Sequence, residues 1–412
     1  MDKKKNSNRK YQNFFFFILL YGTLIIGYVL NEGKLAGSIN DYYTHKVISK
    51  KFADDFFGTL LNFSKEPTRH SPLLIIIISF FEKLKINDNI IRLVNLHFLL
   101  LIILFFYKSL KIRFKSYNNS ILCLISFVLF LSPSYRSLLI WPDSRLYGLL
   151  FFTISIYFFL NFINEKEKKQ KFKFSILNTF FLCLASYFSP NFCVFSFFFI
   201  LFFYNYFKTS KYFFIIILSN LLLSIPAIYY VFYLKIFFFL TAVSDSGGTI
   251  IALNPSNKII LISSIFLFHY VPFFFITKNK YIISNKHLII LTFIFTTLIY
   301  FFNYKIDFTG GGIIYKLSNF LFSNNYFLFL FSFLGFLLLF SLSYKNFDNS
   351  LLIFLIIISN PQLEVYHKYY EPMLLILIFT LFKININKIF LQKRITIFYI
   401  FNFLFLIANW VK

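Results

Sequence analysis

Cysteine is almost missing from this chain: 412 residues carry three, Cys123, Cys183 and Cys193, with no CxxC spacing. An odd, scattered set excludes a disulfide framework and a structural zinc site. Charge is scarce too, at 14% of positions, and acids are scarcest, with 16 Asp and Glu against 41 Lys and Arg. Gly-x-Ser-x-Gly, zinc-protease and kinase patterns are all absent. The glycine runs Gly247-Gly248 and Gly310-Gly311-Gly312 lack a following Gly-Lys-Ser/Thr, which excludes a nucleotide phosphate loop. Both read as flexible loops, suited to a lid over an outer cavity. Neither an internal repeat nor a soluble domain is visible.

What fills the chain instead is apolar. At 58% hydrophobic residues and a mean hydropathy of +0.70, no single water-soluble core could hide so much apolar surface. The 67 phenylalanines, with the many Ile, Lys and Asn, fit an AT-rich coding bias, so no lone Phe or Lys carries meaning. The expected fold is all-α, a polytopic transmembrane bundle of about 11–13 spans. The first span covers 13–30. Later spans fall at 90–107, 119–133, 146–163, 174–188, 191–207, 212–232, 259–276, 287–302, 326–343, 350–360, 371–382 and 395–410. The whole of 1–412 is expected to form one membrane unit.

A net charge of +25 would suggest nucleic acid in a soluble protein. Here the basic residues flank apolar spans, which makes them topology determinants and contacts for anionic lipid, and excludes nucleic acid as the partner. Five of them precede the first span, within Met1–Lys10. That places the N-terminus in the cytoplasm, with an uncleaved anchor. Alternate loops then hold Lys108–Lys115, Lys166–Lys173, Lys208 with Lys211, Lys278–Lys286, and Lys383–Arg394. The membrane expected is the inner (plasma) membrane of a bacterium, with the working face extracytoplasmic. Region 31–89 keeps this alternation intact only as one long external loop. Its apolar run Leu73–Phe81 is too short to span and reads as an amphipathic helix along the outer membrane face.

The outer loops gather the acids, prolines and isolated cations. An ordered set of elements stands out: Asp41 in Ile39-Asn-Asp-Tyr-Tyr43, then His70-Ser-Pro-Leu73, then Ile91-Arg-Leu-Val-Asn95. Leu131-Ser-Pro133 closes the third span, and Trp141-Pro-Asp-Ser-Arg145 opens the fourth. This order over about residues 14–165 resembles the GT-C superfamily of membrane glycosyltransferases, in the branch of protein O-mannosyltransferases and lipid A aminoarabinose transferases. Two departures matter: the loop acid of that family is often followed by a second acid, where this chain has Tyr42, and its His-Pro-Pro-Leu is here His70-Ser71-Pro72-Leu73.

The resemblance implies transfer of a sugar from a polyprenyl-phosphate donor to a hydroxyl on a glycan, lipid or protein acceptor. It makes Asp41 the base, and a solvated loop acid is the competing reading. The lipid phosphate calls for cations near the headgroup plane: Arg136, Arg145, His367 and Lys368, with Tyr369 beside them for a sugar face. Arg145 could equally pair with Asp143 or snorkel at a span end. Glu364 shares the late segment Asn360–Pro372. His70 reads more as a residue orienting the surface helix than as a substrate contact, and His97 as a packed interior residue. No metal ligand set is evident; Asp54-Asp55 is the one pair that could take a divalent cation. The competing functions are a transporter or flippase of lipid-linked saccharides, disfavoured by span centres almost free of charge, and a polysaccharide polymerase or ligase.

Overall fold

The computed structural model describes residues 2–33, 37–66, 68, 70–233, 254–278, 283–305 and 310–410, with side chains of the first helix from Tyr11 onward. Gly247-Gly248 and Lys280 lie outside the described residues. The described chain is helical, and its only β-type pairing is an isolated bridge between Thr277 and Ile386. Among the described residues, eight helices are long and apolar enough to cross a membrane, or nine if one bent pair counts as a span. This is a multi-pass helical membrane protein. It packs as two compact units, Met1–Phe237 with Gln392–Lys412, and Phe238–Leu391.

In the first unit, α1 is Asp2–Val29, α2 Ser38–Asp54, α3 Phe56–Leu61 and α4 Pro72–Lys83. Next, α5 (Asp88–Leu99) and α6 (Leu101–Arg113) together make one apolar stretch of 26 residues. The following elements are α7 (Asn119–Phe127), α8 (Pro133–Ile140), α9 (Ser144–Asn164), α10 (Lys168–Phe188), α11 (Ser196–Phe207) and α12 (Lys211–Phe232). Local chemistry sets several starts. Ser71 accepts from the Leu73 amide ahead of Pro72, Asn87 from Asn89, Asn118 from Ser120 and Asp143 from Arg145.

Two differences from the sequence expectation stand out here. The helical run of the third span stops at Leu131, beside its expected end at 133, but a further helix, α8, follows at once. After a 3-10 turn at Val128–Leu131 the chain bends by 72° into α8, which opens on the Ser132 cap with Pro133 in its first turn, where a missing amide costs nothing. And 31–89 is mostly helical: α2, unforeseen, packs against α4, whose Pro72, Leu74, Ile75, Ile78 and Ser79 are buried.

Ring and polar contacts give the helix directions within this unit. Phe98 meets Tyr147 at 5.9 Å and Phe105 meets Tyr157 at 5.6 Å, so α5–α6 runs parallel to α9. Tyr147 meets Phe188 and Phe158 meets Phe174, so α10 returns antiparallel. Tyr28 donates to the Asn89 carbonyl and Tyr21 bonds His97, so α1 opposes α5. The Lys108–Lys115 and Lys166–Lys173 segments therefore share one end of the unit, and the starts of α2, α5 and α9 share the other. His97 is exposed on its helix rather than packed inside, its ring satisfied by the Tyr21 hydroxyl at 2.7 Å.

The last helix, α19 (Lys388–Trp410), follows the second unit in sequence but lies along α1 from Gln392 onward, with Phe16 and Tyr399 at 5.1 Å. The second unit holds α13 (Pro255–Phe274), α14 (Asn285–Tyr300), α15 (Gly312–Phe322), α16 (Tyr326–Ser343), α17 (Phe347–Ile358) and α18 (Glu371–Thr380). Gly335 lets α16 approach α13 closely, since a Cβ there would sit 2.1 Å from the Ser263 carbonyl oxygen. Between α17 and α18 the chain is non-helical apart from a 3-10 turn at His367–Tyr369. The Gly310–Gly312 run is not a loose lid. The Gly311 amide donates to Val365 at 2.7 Å, and a Cβ at Gly310 would strike Tyr304 and Val365.

Candidate functional site

Asp41 lies in the first turn of α2, where the unpaired amides of a helix start favour a carboxylate. One turn on, His45 faces the same way, fully buried. The α4 side contributes His70, whose ring meets that of His45 edge to face at 4.7 Å. The Trp141-Pro-Asp-Ser-Arg145 turn between α8 and α9 supplies the rest. Asp143 caps α9 through the Arg145 amide at 2.8 Å, and Ser144 Oγ sits 3.1 Å from His70 Nδ1. Arg145 reaches both acids, 3.7 Å from Asp41 and 3.6 Å from Asp143. His70 Nε2 lies 3.8 Å from Asp41, an electrostatic contact beyond hydrogen-bond length.

Four residues expected from separate sequence elements, Asp41, His70, Asp143 and Arg145, thus meet at one point. His45 joins them and was missed. Its signal was the spacing of four from Asp41, readable only once 38–54 is known to be helical. Burial pushes His45 down to about 3, reinforced by the neighbouring His70. Burial also lowers His70, partly opposed by Asp41. Both rings are therefore neutral at pH 7. Asp41 keeps the most exposed side chain of the ionic residues here, at 23%, against 8% for Arg145 and none for Asp143. A carboxylate open on one side and anchored by a guanidinium on the other can accept a proton from a hydroxyl brought to its open face.

Arg136 is not in this group. Its side chain is fully buried and forks onto Glu32, with Nη2–Oε2 at 2.7 Å and Nε–Oε1 at 2.9 Å. It also bonds Thr23 and the Phe130 carbonyl, and packs over Trp410. Its observed work is to tie α8 to α1. Of the Asp54-Asp55 pair, Asp54 is exposed and Asp55 caps α3 through the Gly58 amide. Among the described residues, no group of three or more His, Cys, Asp or Glu is placed to hold a metal ion.

His367, Lys368, Tyr369 and Glu364 belong to the second unit and gather on the segment ahead of α18. His367 Nε2 lies 2.9 Å from Nε2 of His269 on α13, a residue the sequence reading passed over. Burial, with Lys316 nearby, pushes His367 down to about 3. Tyr366 donates to Glu364, Tyr369 donates to Gln362 at 3.1 Å, and the buried Lys368 ammonium lies 5.4 Å from the Tyr366 ring centre. No protein-family model, curated protein or solved structure matches this chain.

Proposed function

We propose that this protein is a membrane glycosyltransferase that moves a sugar from a polyprenyl-phosphate-linked donor to an acceptor hydroxyl on the extracytoplasmic face. One observation supports it above the others: Asp41, partly exposed, is held by Arg145 and faced by His70 where the α2, α4 and α8–α9 segments meet. In the reaction the acceptor oxygen bonds to the anomeric carbon as the bond from that carbon to the phosphate oxygen breaks. The proton goes to Asp41, and the electron pair leaves with the polyprenyl phosphate. Arg145 anchors Asp41 on one side and His70 faces it, so the open side of the carboxylate is left for the acceptor hydroxyl. The acceptor is a glycan, a lipid or a protein.

The sidedness belongs to the same proposal. The count of 11–13 crossings takes α10 and the shorter helices α14, α17 and α18 as crossing segments too. The N-terminus and the lysine-rich end of the first unit then face the cytoplasm of a bacterial cell, and Asp41 faces outward across the inner membrane.

A flippase or transporter of lipid-linked saccharides is the second reading. It is favoured by the His269–His367 pair beside an interrupted span, an arrangement transporters use for ion sites. Mass spectrometry of lipid-linked sugars and surface glycans in cells with and without the gene separates the two. A transferase leaves the donor accumulated and one acceptor unmodified, whereas a flippase leaves every downstream acceptor of that donor depleted.

A further inference from the structure

The transferase reading leaves the lipid phosphate without a cation in the first unit, because the arginines expected for it are engaged: Arg136 with Glu32, Arg145 with Asp41 and Asp143. A third arginine stands at the same end. Arg92 lies in the second turn of α5 and is 5% exposed, yet among the described residues no carboxylate comes within ion-pair distance of it. Asp88, one turn earlier on α5, is taken by Lys46. The Arg92 guanidinium lies 3.7 Å from the Trp141 ring centre and 4.9 Å from that of Tyr28. Nε donates to the Ile140 carbonyl at 3.3 Å, and Nη2 is buried with no hydrogen-bond partner.

Burying an arginine without an acid is expensive, and in membrane proteins such residues mark sites where a charged ligand completes the balance. The stack explains how the cation is tolerated when the site is empty, since an aromatic face offsets part of the cost. It also holds the guanidinium in place while Nη2 stays without a hydrogen-bond partner, a donor that an oxyanion would satisfy. Trp141 ties this site to the Asp41 cluster: Tyr42 and Tyr43, the two residues after Asp41, stand 5.7 and 6.0 Å from its ring, and Asp143 follows two residues later.

We propose that Arg92, stacked on Trp141, binds the phosphate of a polyprenyl-phosphate lipid next to the Asp41 cluster. The inference rests on the transferase reading for the lipid and on the unpaired guanidinium for the anion. During transfer the phosphate oxygen that takes the electron pair gains negative charge, and Arg92 stabilises it.

Trp141 and Trp410 are the only two tryptophans, so Trp410→Phe isolates the emission of Trp141. The full-length protein in phosphatidylcholine nanodiscs is titrated with a long-chain polyprenyl phosphate, with the uncharged polyprenol, and with inorganic phosphate. Saturable change in Trp141 emission is expected with polyprenyl phosphate and not with polyprenol. Arg92→Gln should weaken binding by about 10-fold or more, and Arg92→Lys by less. Undiminished affinity in Arg92→Gln, or equal binding of polyprenol, overturns the site. Where Arg92→Gln does not fold, undiminished affinity in Arg92→Lys does the same, because a lysine cannot reproduce the stacked fork. Equal binding of inorganic phosphate overturns the lipid as occupant. Arg92-dependent binding with unchanged lipid-linked sugars in Asp41→Asn cells sinks the transferase reading alone.

Discussion

Arg136 and Glu32, 104 residues apart in sequence, form a forked ion pair buried between α8 and the end of α1. The pair pins the bent helix that carries the Trp141–Arg145 turn. Removing either partner strands a buried charge, which costs about 3–5 kcal/mol. Arg136→Met is expected to lower the thermal midpoint in detergent sharply, and Arg136→Met with Glu32→Leu to recover much of the loss. A double variant no better than the single one would mean the pair does not act as a unit.

The buried imidazoles make stability depend on pH. His45 titrates at about 3 in the folded protein and about 6.5 when unfolded, a folded value below the unfolded one. Its neutral form is therefore at no disadvantage above about pH 6.5. As pH falls from there toward 3 the unfolded chain binds the proton and stability is lost, at up to about 1.4 kcal/mol per pH unit. His45→Phe should flatten that acid limb in thermal melts at pH 7, 6, 5 and 4. Parallel limbs in the two proteins would remove His45 as a source.

At Gly310 an added Cβ would come within 2.5 Å of the Tyr304 hydroxyl and 2.8 Å of the Val365 carbonyl oxygen. Gly310→Ala should cost about 1–3 kcal/mol through overpacking of the segment that leads to His367. Gly22, with nothing near its missing Cβ, provides the control: Gly22→Ala in α1 should be neutral or mildly stabilising. Equal melts for both variants would show that the glycine run is not a packing seat.

Sidedness is checked by reporter fusions at two exposed positions of the first unit, Lys168 at the basic end and Asp54 at the end of α2. Lys168 fusions are expected to report cytoplasm and Asp54 fusions the outside. The same compartment for both would contradict the helix directions.

The long apolar helices were legible because twenty greasy residues admit little else. So was α4, whose Ser71-Pro72 start announces itself. The helix α2 was hidden because Ser38–Asp54 has no apolar window; its buried stripe of Tyr42, His45, Ile48, Ser49 and Phe52 mixes polar and apolar residues at helical spacing. The broken path between α17 and α18 was legible only as unusual shortness. In the site, motif order brought out Asp41, His70, Asp143 and Arg145. The roles of the arginines were not legible, since Arg136 and Arg92 both sit near span ends. What separates them is a partner: Glu32 for one and, among the described residues, no acid within ion-pair distance for the other.

The transferase account stands most directly on Asp41. In cells lacking the gene and supplied with Asp41→Asn at wild-type abundance, mass spectrometry should find the polyprenyl-phosphate-linked sugar accumulated and its acceptor unmodified, a loss of about 100-fold or more in transfer. Acceptor modified to wild-type level in those cells would contradict it.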